Sequence, residues 1–180
     1  MFWKYATLAC LVIFFALTGC SSQGTVKHSI GTDKIVGKSP ILPWDELSAG
    51  DQTFFKALQK SVDDVHAKVT ELEAMLQEMQ GQDESHEAEE MMTEAKEDVL
   101  YYWNHIHNDY KPEHPLLQKM KEDYEKLLTG YRNGITMELE GMEIGDPEKL
   151  KLGYQTTKQA VVEIQKFKQQ MDQAIPDSKR

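Results

Sequence analysis

The chain has 180 residues, with 20 Lys and Arg against 30 Asp and Glu, which gives a formal net charge of −10. This length suits one domain with appendages. Nucleic-acid binders need a basic stripe, so the acidic balance predicts no nucleic-acid partner. Two cysteines are too few for a disulfide framework or a four-thiolate metal site.

Residues 1–20, MFWKYATLACLVIFFALTGC, have the layout of an export signal. Lys4 gives a short positive start, and residues 6–17 form an apolar run of 12 residues. A membrane-spanning helix needs about 20 apolar residues, so this run predicts a signal-peptide core. It ends in Leu17-Thr18-Gly19-Cys20, which resembles the lipobox of bacterial lipoproteins.

The resemblance implies cleavage between Gly19 and Cys20 and acylation of the Cys20 thiol. Residues 1–19, including Cys10, would then be a removed signal peptide, and the mature chain would hold no free thiol. Two or more acyl chains anchor a protein durably, whereas one chain binds only marginally. The alternatives are an ordinary secretory signal that happens to contain a cysteine, and an uncleaved membrane anchor.

The same resemblance implies an address in the cell envelope, outside the cytoplasm. Ser21 and Ser22 follow the cysteine, so the Asp that resembles an inner-membrane retention signal is missing. In a host with two membranes we therefore expect the outer membrane. In a host with one membrane we expect the outer leaflet of the plasma membrane.

Residues 20–50 are rich in Gly, Ser, Thr and Lys and show no sustained period, which predicts a flexible tether. Thirty such residues have a root-mean-square span of about 30 Å. The end of this stretch, Ile41-Leu42-Pro43-Trp44, is apolar, and we expect it to fold back onto the domain.

Two periodic runs follow the tether. The first starts at Ser48 and Asp51, stops at Gly81, and carries an unbroken heptad seam of Phe55, Leu58, Val62, Val65, Val69, Leu72, Leu76 and Met79. The second run ends at Asn108-Asp109 because prolines follow at 112 and 115. Its seam is Ala88, Met92, Ala95, Val99, Tyr102 and Ile106.

The third run contains Gly130 and Gly134, which predict a bend or a frayed end. Its apolar positions are Leu117, Met120, Tyr124, Leu128, Tyr131, Ile135, Leu139 and Met142. The fourth run begins with Asp146 as N-cap and Pro147 at the first helical position. Its predicted stripe, before a stop at Pro176, is Leu150, Tyr154, Thr157, Val161, Ile164, Lys168, Met171 and Ile175.

Short connections make neighbouring helices antiparallel. The sequence therefore predicts an all-α fold, an up-down-up-down bundle of four long helices over residues 51–175, with a tail at 176–180. A three-helix bundle with an extended first hairpin is the alternative.

A metal site is the first chemical candidate, because bundles hold metals between facing helices. Residues two apart on a helix point about 200° apart, so His105 and His107 cannot chelate one ion together. Either could join His114 across the turn, with Asp109 or Glu113, but solvated or capping histidines are the expected case. No cofactor is predicted.

The remaining features favour packing and solvation. Eight acidic residues between positions 83 and 98 are expected to form a solvated face. The lysine-rich fourth run could face an anionic surface. Five methionines fall on seam positions, where they are expected to fill the core. The aromatic group is expected to fill an end of the core: Tyr101, Tyr102, Trp103 and Tyr110. Motifs of nucleophilic, phosphate-binding and zinc-protease sites are missing, so we expect no enzyme.

These observations lead to a functional hypothesis. We expect a lipid-anchored, non-enzymatic binding or scaffolding module, whose partner is an envelope protein or a wall component. The first alternative is metal or small-ligand capture at the end holding His105, His107 and His114. The second is an envelope component that self-associates through the heptad seam of the first run.

Overall fold

The fold was analysed in a computed structural model that describes residues 42–78 and 85–174. Those residues form four long helices, α1 (Ala49–Glu78), α2 (Ser85–Asp109), α3 (Pro115–Ile144) and α4 (Pro147–Ala174), preceded by a 3-10 turn at Trp44–Glu46. The predicted all-α fold with four helices is confirmed, and the three-helix alternative is wrong. None of these helices combines the length and the apolar character needed to cross a membrane.

Several predictions concern residues outside the described ranges. They are the lipidation and cleavage site at Gly19 and Cys20, the tail at 176–180, and the helix-end residues Met79, Gly81, Ile175 and Pro176. The first helix begins at Ala49, two positions before the predicted start of the bundle and inside the predicted tether.

Local sequence accounts for the helix ends. At the start of α1, the Ser48 hydroxyl accepts a hydrogen bond from the Asp51 backbone N–H at 3.1 Å, as expected for an N-cap. At the start of α4, Asp146 Oδ1 accepts from the N–H groups of Glu148 and Lys149. Between α3 and α4, Gly145 adopts a left-handed conformation with φ of 67°, which glycine tolerates without a steric penalty.

The helices follow one another around the bundle, so that each packs on the next and α4 returns to α1. Successive helices are antiparallel, and α2 and α4 therefore run in the same direction at opposite corners. The core between the four helices holds the predicted seam of α1 from Phe55 to Leu72, together with Met92, Val99 and Ile106 of α2. The fold thus packs the described part of both predicted seams against the core of a single chain, with Leu76, Ala88, Ala95 and Tyr102 only partly buried.

The closest helix pair is α3 with α4, where glycines let the backbones touch. A Cβ atom at Gly134 would lie 2.6 Å from the backbone nitrogen of Thr157, and one at Gly141 would lie 2.6 Å from that of Leu150. On the opposite helix, a Cβ at Gly153 would lie 2.5 Å from the backbone nitrogen of Glu138. Helix α3 is continuous through Gly130 and Gly134, so it does not fray at these glycines.

Because α3 and α4 approach so closely, the buried face of α4 differs from the predicted stripe. The predicted stripe included Leu150 and Tyr154, but both are exposed, Tyr154 by 55%. Ile164 and Met171 of the predicted stripe are buried as expected, and the other buried positions of α4 are Gly153, Ala160, Phe167 and Ala174. The prediction followed large apolar side chains, whereas helix backbones in contact require small residues at the interface.

One polar bond crosses the core diagonally from α1 to α3. The hydroxyls of Ser61 and Tyr124 lie 2.9 Å apart, and both residues are buried. Burial raises the pKa of the Tyr124 phenol above its usual value, so the group stays neutral. The Tyr124 ring also stacks on Phe167 of α4, with ring centroids 5.7 Å apart.

Candidate functional site

The end of the bundle at the start of α1 receives the segment that leads toward the predicted lipid anchor. Leu42 is fully buried, and its N–H donates to the carbonyl of Ala174 at 2.8 Å. Trp44 packs edge-on against Phe55, with ring centroids 5.8 Å apart. The predicted fold-back of this apolar segment is therefore confirmed for Leu42 and Trp44, while Ile41 lies outside the described residues.

Asp51 joins this end to the connection between α2 and α3. Its side chain is only 4% exposed, and Oδ1 accepts from the N–H of Glu113 at 2.8 Å and from that of His114 at 3.4 Å. A buried carboxylate is tolerated where backbone donors satisfy it. The sequence identified Asp51 as part of a helix start but gave no sign of this long-range role.

The three candidate histidines lie at the same end and have separate partners. His105 Nδ1 lies 2.7 Å from Asp109 Oδ2, and His107 Nδ1 lies 3.2 Å from Glu125 Oε1. His114 is the N-cap of α3, where its Nδ1 accepts from the N–H of Leu116 at 3.3 Å.

The structure does not bring these histidines together. The His107 ring stacks on Trp103 at 4.3 Å, while the His105 ring lies edge-on to Tyr110. Across residues 42–78 and 85–174, no group of three or more His, Cys, Asp or Glu side chains is placed to hold a metal ion. Pro115 at the first position of α3 could have signalled that His114 serves as a cap.

The aromatic group divides between the core and the surface. Tyr102, Trp103 and Tyr110 are half-buried against the core, as expected, and the Tyr102 hydroxyl lies 3.5 Å from Asp64 Oδ2. Tyr101 differs, because 65% of it is exposed on the outer side of α2.

Most of the acidic residues of α2 also lie on its outer side. A shallow depression of about 390 Å³ runs along this side and is lined by His86, Glu89, Glu90, Thr93, Glu94 and Glu97. All six residues belong to one helix, so a small molecule placed there would stay largely in water. This surface is better suited to a broad contact with another macromolecule than to enclosing a ligand.

A buried carboxyl group lies where α3 and α4 touch. Glu138 is 7% exposed, and its Oε1 accepts a hydrogen bond from the Thr157 hydroxyl at 2.5 Å. Burial raises the pKa of the Glu138 carboxyl above its usual value, and the hydrogen bond from Thr157 opposes that rise in part. Sequence reasoning missed this residue because a glutamate among seam positions gives no apolar signal.

The outer side of α4 carries lysines and unburied apolar side chains together. Lys151, Lys158 and Lys166 are exposed, and Val162 is 40% exposed between the last two. Lys158 Nζ lies 5.8 Å from the centre of the Tyr154 ring. Apolar side chains that remain on a surface can mark a contact with another macromolecule.

The heptad seam of α1 offers no accessible surface for self-association in this fold. Leu58, Val62 and Val65 of that seam are buried inside the bundle.

Comparison of the chain with protein-family models, with curated proteins and with solved structures gives no match. The case for a function therefore depends on the residues themselves.

Proposed function

We propose that this chain is an extracytoplasmic bacterial lipoprotein whose helical bundle is a non-enzymatic binding or scaffolding module. The observation that carries the proposal is the run Leu17-Thr18-Gly19-Cys20 after a short apolar segment. In this account the fatty acids on Cys20 hold the protein at a membrane, and the bundle contacts an envelope protein or a wall component.

The fold-back of Leu42 and Trp44 supports this arrangement. Leu42, the first described residue, is hydrogen-bonded to Ala174 at the end of the bundle where α1 begins and α4 finishes. In this proposal residues 21–41 belong to the predicted tether from Cys20, for which the root-mean-square span would be about 25 Å.

The character of the outer surface supports binding as the role of the bundle. Tyr101 on α2 and Tyr154 and Val162 on α4 expose apolar area beside charged residues. Tyrosines are enriched in contact surfaces because they bury a large area with few rotatable bonds. A partner, which includes a second copy of this chain, would cover these side chains and meet the charges around them.

Intact-mass measurement of the protein extracted from its own membranes tests the anchor. The proposal predicts loss of residues 1–19 and the mass of a diacylglyceryl group, with or without a third acyl chain, on Cys20. A mature chain that keeps residues 1–19, or an unmodified Cys20, would contradict it. Crosslinking in the same membranes tests the binding role, which fails if the bundle surface forms no adduct with any protein or wall polymer.

A further inference from the structure

We infer that the exposed face of α4 docks on the exposed face of α2 of a second copy of this chain. The basic face consists of Lys151, Tyr154, Lys158, Val162 and Lys166 on α4. The acidic face consists of Glu87, Glu90, Glu94, Glu97 and Tyr101 on α2. All ten residues are exposed. The inference rests on the proposed function only in naming the membrane that would align the copies.

The charges of the two faces are complementary and free to pair. Within the described residues, Lys151, Lys158 and Lys166 form no salt bridge, and Glu94 and Glu97 have no cation within salt-bridge distance. Glu90 meets only the exposed ring of His86, at 3.3 Å. Opposite charges on facing surfaces steer association and penalise incorrect partners.

The two faces also lie at the same height in the molecule. Gly141 of α3 lies against Leu150 of α4, and Glu125 of α3 contacts His107 of α2. Because both helices run antiparallel to α3, these contacts put Lys158 level with Glu97 to within a helical turn, about 5 Å.

The same alignment pairs the other residues of the two faces. Lys151 falls at the level of Glu90 and Glu94, and Val162 falls at the level of Tyr101. Copies standing the same way up would therefore match Lys151 and Lys158 with acidic side chains and Val162 with Tyr101, while Lys166 falls at the level of His107, past the acidic face. Anchoring of every copy through Cys20 favours that common orientation, and a shared membrane raises their effective concentration.

The contact is heterologous, since it joins two different faces. The helices α2 and α4 occupy opposite corners of the bundle, so each copy would present one face to each of two neighbours. Contacts of this type continue from copy to copy and do not stop at a dimer. The geometry thus points to rows of bundles standing side by side.

Cysteine crosslinking of the full chain in isolated membranes tests the contact. One variant carries Tyr101→Cys and the other carries Val162→Cys, each with its own tag. With a short bismaleimide crosslinker, we expect adducts between the two tags when both variants are present, and no adducts in membranes holding either variant alone. Equal adducts from a single variant, or none from the mixture, would overturn the inference.

Reversing the charges on each face distinguishes loss of the contact from a folding defect. In the Val162→Cys chain, adding Lys151→Glu and Lys158→Glu should lower the crosslinked fraction about tenfold. In the Tyr101→Cys chain, adding Glu90→Lys and Glu97→Lys should lower it by the same factor. Combining the two altered chains should restore the crosslink. Failure of the combined pair to recover while both chains remain folded would contradict the docking.

A Cys20→Ser chain separates this inference from the proposed anchor. If that chain is trimmed to the wild-type start and stays membrane-bound while the crosslink forms as described, the anchor fails and the contact stands. If the lipid is present and the mixed variants give no crosslink, the contact fails and the anchor stands.

Discussion

The backbone of Gly153 lies directly against the backbone of Glu138, so that a Cβ atom added to the glycine would fall 2.5 Å from the glutamate nitrogen. A real Cβ could not occupy that position without moving the helices apart. The absence of a side chain at Gly153, as at Gly134 and Gly141, therefore allows the short distance between α3 and α4. It also determines how deeply the Glu138 carboxyl is buried.

Gly153→Ala should destabilise the bundle. The gain in helix propensity is about 1 kcal/mol, but overpacking costs about 1–3 kcal/mol, and here the clash is with backbone that cannot rotate away. We expect the free energy of unfolding in urea to fall by about 2 kcal/mol. Gly130→Ala is the matched control, because nothing lies within 4 Å of its added Cβ, and it should raise stability by up to about 1 kcal/mol. Equal stabilisation by both changes would be inconsistent with the close packing.

Glu138→Gln should change how stability depends on pH. Because burial raises the folded-state pKa of this carboxyl above its usual value of 4.5, the folded protein binds the proton more tightly than the unfolded chain. The stabilising effect of that proton is complete below pH 4.5 and disappears as the pH rises through the folded-state pKa. The wild-type chain therefore loses stability over that window.

The Glu138→Gln variant should lack that loss and be more stable than wild type at pH 7, since its amide oxygen can still accept from Thr157. Urea unfolding from pH 4 to pH 8 measures both effects. Glu143→Gln, an exposed change on the same helix, is the control and should leave the wild-type slope in place. A Glu138→Gln profile parallel to wild type would rule out a buried charge as the cause.

Asp51→Ala should loosen the end of the bundle where α1 begins. It leaves the N–H groups of Glu113 and His114 without their acceptor, and such a loss costs about 1–3 kcal/mol. Asp51→Asn keeps an oxygen in the same place and should cost less than half as much. Thermal unfolding distinguishes the two, and hydrogen exchange at Glu113 should increase only in the alanine variant. If both variants were equally damaged, the two hydrogen bonds would not be the reason.

Ser61 and Tyr124 should behave as a coupled pair. Ser61→Ala or Tyr124→Phe alone leaves one buried hydroxyl without its partner, at a cost of about 1–3 kcal/mol, whereas the double variant leaves none. We expect the double variant to lose clearly less stability than the two single losses combined. Strict additivity in a double-mutant cycle would show that the 2.9 Å contact contributes nothing.

The helical fold could be predicted from the sequence because apolar spacing carries most of the information. The seam of α1 repeats without interruption, and its residues from Phe55 to Leu72 are buried as expected. The caps at Ser48 and Asp146 also follow from local chemistry that is visible in the sequence. These features depend on neighbours within a few positions.

The register of α4 could not be predicted by the same rule. Leu150 and Tyr154 are large and apolar, but Gly153 and Ala160 face α3 because only small residues fit between touching backbones. Likewise, nothing near Asp51 or Glu138 in the chain reveals its distant partner. The partners of the three candidate histidines could not be predicted either, because each side chain contacts a different neighbour that only folding brings close.

The most direct test of the account is membrane fractionation of a Cys20→Ser chain beside a Cys10→Ser control. Thioether lipidation requires the Cys20 thiol, whereas Cys10 lies in the segment expected to be removed. We predict that Cys10→Ser remains in the membrane pellet with a lipid-modified mature mass. The Cys20→Ser chain should keep its signal segment and carry no lipid, as shown by intact mass. A Cys20→Ser chain that is trimmed to the wild-type start and still sediments with membranes would contradict the account.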